Sequence, residues 1–138
     1  MGGELCVTRA IEFSSSLRYV STELSEAENR SRFGPAACQH GHNYRLEVTL
    51  RGQADRVTGM VINLADLKEL LNREIMERFD HRDLNRDTEY FEKMPPTPEN
   101  FARIIFEILR DALPAAMLDR IRLYQDADLF VDVTEPES

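Results

Sequence analysis

The chain has 138 residues, 42% of them hydrophobic and 30% charged, and a formal net charge of −8. The length fits one domain, residues 1–138, and the acidic balance excludes nucleic acid and anionic membrane surfaces as partners, because both would repel it. No run approaches the ~18 apolar residues of a bilayer span, no leader pattern follows Met1, and two cysteines, Cys6 and Cys38, are too few for a disulfide scaffold, so a cytoplasmic protein with free thiols is expected.

Residues 5–13 alternate imperfectly, with Leu5, Val7, Ala10, Ile11 and Phe13 among polar neighbours, and predict a strand. Residues 14–42 are polar, broken by Gly34-Pro35, and read as a long loop with room for one helical turn at Ser25–Arg32. Residues 43–52 alternate cleanly: Tyr44, Leu46, Val48 and Leu50 on one face, Arg45, Glu47, Thr49 and Arg51 on the other. That is the pattern of a half-solvated antiparallel strand. A turn at Val57–Met60 leads into a short strand over 60–62. Asn63 then caps a helix to about Arg78, with Leu64, Leu67, Leu70, Leu71, Ile75 and Phe79 at helical spacing.

A second loop covers 80–96. Thr97 caps the next helix, Pro98 stands at its first position, and Phe101, Ile104, Ile105, Ile108 and Leu109 form its apolar stripe up to Pro114. Strands over 120–126 and 128–134 meet at Asp126-Ala127-Asp128. The order ββααββ predicts an α+β domain, a four-stranded antiparallel sheet with both helices on one face. Its two open edges favour oligomerisation by strand pairing.

Four places carry titratable chemistry. His40 and His42 are spaced i, i+2, so on a strand both imidazoles share a face. That is a start for a zinc site or simply a polar strand end. Asp80-His81 places a carboxylate beside an imidazole, as in a general base or in a solvated turn. Cys38, two residues before His40, is an activated thiol or an inert one. Gln125-Asp126 sits where two strands meet, a position usual for a turn.

Taken together, several segments resemble the 6-pyruvoyltetrahydropterin synthase / 6-carboxytetrahydropterin synthase family. They are Phe13-Ser14-Ser15-Ser16-Leu17-Arg18, Phe33-Gly34, His40-Gly41-His42-Asn43-Tyr44, Val57-Thr58-Gly59-Met60 through Lys68, Asp80-His81-Arg82-Asp83-Leu84-Asn85 and Thr97-Pro98-Glu99-Asn100. The match runs from about residue 7 to 134. The resemblance implies the tunnelling fold, with subunits pairing sheets around a barrel. It also implies a homo-oligomer, usually a hexamer, whose sites lie between subunits and bind a bicyclic heteroaromatic ring.

The family's chemistry uses zinc on three histidines, a Cys/Asp/His acid–base set and a glutamate that anchors the pterin. Two zinc histidines match His40 and His42, but Leu17 stands at the third position, Ala36 where the cysteine belongs and Gln125 where the glutamate belongs. Asp80 and His81 match the remaining pair. The resemblance, read with these departures, implies His81 and Asp80 as catalytic residues. His40, His42, Gln125, Asp126 and Cys38 become substrate-binding, and no metal or other cofactor is expected; zinc on His40 and His42 is the alternative. The expected activity is metal-independent acid–base catalysis on a small heteroaromatic substrate, such as aldehyde–aromatic amine condensation or Pictet–Spengler-type cyclisation. The alternatives are a working 6-pyruvoyl- or 6-carboxytetrahydropterin synthase and a non-catalytic binding subunit.

Overall fold

Alternation in the middle of the chain builds the strand on which the rest is laid. In the computed structural model, which describes residues 3–136, β2 runs His40–Gly52 and buries Tyr44, Leu46, Val48 and Leu50. β1 (Leu5–Leu17) lies antiparallel beside it in unbroken register from Leu5↔Gly52 to Leu17↔His40. On its other side β2 pairs with β4 (Leu118–Asp126), which pairs with β5 (Leu129–Thr134). The strand expected over 60–62 does not form. Asp55 instead accepts the Val57 and Thr58 amides in a tight turn, and Gly59 adopts φ +75°.

The sheet is five-stranded and mixed, order β3-β1-β2-β4-β5, where a four-stranded antiparallel sheet was expected. The added strand, β3, is only Arg82–Asp83 and runs parallel to Ser15-Ser16 of β1. It has no periodicity of its own and exists because β1 offers it a free edge. β1 also extends four residues beyond the expected end, so residues 14–42 are not one loop. Ser25 and Glu28 form a reciprocal capping box that starts α1 (Glu26–Phe33), and a 3₁₀ turn over Gly34–Ala37 follows.

The helical layer covers the inner face. Asn63 caps α2 (Leu64–Leu71), which continues through a π turn (Asn72–Met76) into α3 (Glu77–Phe79). Leu67, Leu71, Ile75 and Phe79 are all fully buried and spaced by four. On an ideal α-helix that spacing drifts by about 40° per step, since four residues exceed the 3.6 of one turn. The wider π turn takes up the drift and keeps Phe79 on the core. α4 (Pro98–Ala112), capped by Thr97, buries Phe101, Ala102, Ile105, Phe106 and Leu109 and leaves Ile104 and Ile108 half-buried. Among the described residues no helix is long and apolar enough to cross a membrane.

Candidate active site

Strand register decides which side chains meet. Cross-strand partners share a face, so Phe13 and Tyr44, Ser15 and His42, and Leu17 and His40 all point inward. The His40 and His42 rings stand 5.0 Å apart and nearly perpendicular. Nδ1 of His40 donates to the Cys38 carbonyl at 2.7 Å. A carbonyl only accepts, so this bond fixes the proton on Nδ1 and leaves the lone pair on Nε2. Nδ1 of His42 faces the Asp126 carboxylate at 3.7 Å. Burial holds the His42 pKa below the ordinary imidazole range, with Asp126 opposing the shift.

Two tyrosines join this cluster that sequence reasoning missed. Tyr44, two residues after His42 and therefore on the same face, packs against the His42 ring at 5.7 Å. It is buried, its hydroxyl has no hydrogen-bond partner among the described residues, and burial pushes its pKa well up. Tyr19 reaches in from just beyond β1, 5.9 Å from His40, and its hydroxyl donates to Oε1 of Gln125 at 3.3 Å. Burial, then the charges of Glu99 and Asp126, raise the Tyr19 pKa, so the phenol stays protonated and donates. For Tyr44 the available signal was parity with His40 and His42; for Tyr19 it was a lone aromatic in a polar stretch.

Asp80 and His81 are held elsewhere. The backbone N–H of Ser14 donates to Oδ1 of Asp80 at 3.0 Å, and Oδ2 lies 3.0 Å from Nδ1 of His81. The Ser14 amide holds the Asp80 pKa below the usual carboxylate range, with His81 adding to the effect. The carboxylate therefore stays ionised at pH values where an ordinary one protonates. His81 has φ +58°, a left-handed conformation rare outside glycine but enriched in His, and its amide donates to the Ser14 carbonyl at 2.6 Å. With Nδ1 turned to Asp80, Nε2 faces outward on a ring 84% exposed. His81 and Arg82 border a hollow of about 400 Å³ that runs over Ser14, Ser15 and Ser16 of β1 and Gly41, His42 and Asn43 of β2. The outward side chains of Ser14, Ser16 and Asn43 alternate with those of Ser15, Leu17, His40 and His42. Within one chain, then, the dyad opens on the sheet face opposite the histidine pair.

The structure thus gathers His40, His42, Gln125 and Asp126, with Cys38 at their edge through its carbonyl, and keeps Asp80 and His81 apart from them. A catalytic zinc takes three protein ligands. Here two imidazoles are available, and the side chain beside His40 is Leu17, 0% exposed. Among the described residues no group of three His, Cys, Asp or Glu side chains converges to hold a metal. The donor set does not fit a three-histidine zinc.

The family described as 6-pyruvoyl tetrahydropterin synthase matches residues 6–136. The chain is 43% identical over 129 residues to the 6-pyruvoyl tetrahydrobiopterin synthase of Pongo abelii, covering 90% of this chain and 89% of that one. The human protein of the same name is 42% identical over 129 residues, with the same coverage. The structure of Caenorhabditis elegans 6-pyruvoyl tetrahydropterin synthase superposes with a TM-score of 0.91 at 32% identity, over 97% of both chains. A match over nearly the whole sequence, with the fold to go with it, makes this chain a member of the 6-pyruvoyl tetrahydropterin synthase family.

Proposed function

We propose that the chain is a pterin synthase of the phosphate-eliminating type, working as a homo-oligomer whose sites form between subunits. The observation that carries the reading is the Asp80–His81 pair. It is held in a strained, pre-oriented conformation on a chain 43% identical to named synthases. Asp80 accepts Nδ1–H and fixes the tautomer, so the exposed Nε2 of His81 takes a proton from a side-chain carbon as phosphate leaves the neighbouring carbon. The same nitrogen returns the proton as the enol becomes a ketone; the second carbonyl of a pyruvoyl group arises by proton shifts from the remaining carbinol to a C=N bond of the dihydropterin ring, which is reduced in turn, so no outside oxidant is needed. His40, His42, Gln125 and Asp126, with Cys38 at the margin, bind the ring and its substituent. Because the dyad and this cluster open on opposite faces, a neighbouring subunit supplies one to the other.

Aldehyde–amine condensation and Pictet–Spengler-type cyclisation, the first expectation from the sequence, draw no specific support from these relatives, which carry pterin synthase names. A non-catalytic role leaves the strain at His81 without a purpose. The test is to offer a reduced pterin with a phosphorylated side chain and follow phosphate release together with the mass of the product. Catalytic release with formation of a 6-pyruvoyl product is expected; no release beyond the background rate would sink the reading.

The edges support the assembly. Among the described residues the outer edge of β1 is covered near Ser14–Ser16, by Asp80, His81 and β3, and β5 is the edge strand opposite. Unpaired edges of this length are closed by pairing with further strands. Light scattering should give a hexamer, near six times the 15.9 kDa chain. A monomer at micromolar concentration would contradict a site shared between subunits.

A further inference from the structure

We propose that the position where this family holds zinc is, in this chain, a metal-free hydrogen-bonding site in which His40 and His42 present two Nε2 lone pairs to hydroxyl groups on the ligand. The identity of that ligand rests on the pterin synthase reading; the loss of the metal does not.

His40 Nδ1 is committed to the Cys38 carbonyl and His42 Nδ1 faces Asp126, which leaves both Nε2 atoms as acceptors on one face of β2. A cation held by both Nε2 atoms needs a third protein donor on that same side. The cross-strand partner of His40 is Leu17, whose side chain is fully buried and carries no donor atom. Among the described residues no third His, Cys, Asp or Glu side chain converges on the pair. Asp126 lies at the Nδ1 side of His42, and Cys38 touches His40 through its backbone carbonyl alone. Asp126 cannot join an ion at Nε2 without giving up the contact that orients the His42 ring. A neutral imidazole with its tautomer fixed in this way accepts a hydrogen bond from a hydroxyl. Two such acceptors, on rings 5.0 Å apart, suit a polyhydroxylated substituent.

The test begins with the full-length oligomer, dialysed against zinc and then against buffer, with metal measured by mass spectrometry and zinc affinity by competition with a chromophoric chelator. Wild type is expected to keep far less than one zinc per chain. Leu17→His, which supplies the absent imidazole beside His40, is expected to tighten zinc binding by at least about a hundredfold. Removing metal with chelator should leave pterin binding to wild type unchanged, whereas His42→Ala should weaken it. Stoichiometric zinc on wild type, lost in His42→Ala, would overturn the proposal without recourse to Leu17→His, which replaces a buried residue. Because metal content is read without turnover, an inactive protein that also lacks zinc would count against the synthase reading and leave this proposal standing.

Discussion

His81→Asn is expected to lower turnover by about 10²–10⁴-fold, the range that a positioned proton-transfer group contributes. Asparagine is the informative replacement because position 81 is left-handed, and Asn tolerates φ +58° where alanine would add strain. The hydrogen bond from its amide to the Ser14 carbonyl, and with it the β3 edge, then survives, so a loss of rate reports the imidazole rather than a displaced loop. Asp80→Asn should cost less than removing the ring, since Asp80 acts through His81. It also exchanges an ionised acceptor of the Ser14 amide for a neutral one. Rates at saturating substrate, with oligomer mass as the control, decide the point. Full turnover in His81→Asn would remove the dyad from the mechanism.

Phe101→Ala is expected to destabilise the fold by about 3–5 kcal/mol, the usual cost of truncating a buried aromatic. Phe101 is the hub of the core. Its ring lies 4.9 Å from Phe79, 5.1 Å from Tyr44, 5.7 Å from Phe91 and 5.9 Å from Phe13, edge to face in all four pairs. The cavity would open between α4, the end of α3 and the two central strands, so no single element can collapse into it. Ile104→Ala, on the half-buried flank of the same helix, should cost clearly less. Denaturant titrations of the two variants at one protein concentration compare them. Equal losses would mean that the aromatic cluster is not what fixes α4 on the sheet.

β2 and α4 were legible because each carries a full set of local signals: strict alternation over Tyr44–Leu50 in one, and Thr97, Pro98 and an apolar stripe in the other. What the sequence hid was structure that depends on a partner. Ser14-Ser15-Ser16 reads as the start of a long loop, yet Ser15 is buried in β1, where its hydroxyl donates to the Phe79 carbonyl at 2.6 Å. β3 is a strand only by pairing. α1 has almost no apolar face, burying only Asn29, and the capping pair Ser25 and Glu28 was its one local mark. The apolar Val61-Ile62, by contrast, promised a strand that the Asp55 turn prevents.

The site divides along the same line. The i, i+2 spacing of His40 and His42 and the adjacency of Asp80 and His81 were visible as patterns. That the two sets face opposite ways became visible only with the register. Tyr19 reaches Gln125 across 106 positions of sequence, a contact no local pattern encodes.

The π turn at Asn72–Met76 makes the placing of Asp80 and His81 a matter of chain length. One residue fewer in that helix would turn everything after it by about 100° and draw it back by about 1.5 Å. Phe79 would leave the core, and Asp80 would no longer meet the Ser14 amide. The extra residue works as a phase adjuster between a helix that must pack and a carboxylate that must arrive at a fixed point on β1. Point substitutions along the exposed side of this helix are therefore tolerable in a way that a single deletion is not, and descendants of this sequence should vary there in identity while keeping the count.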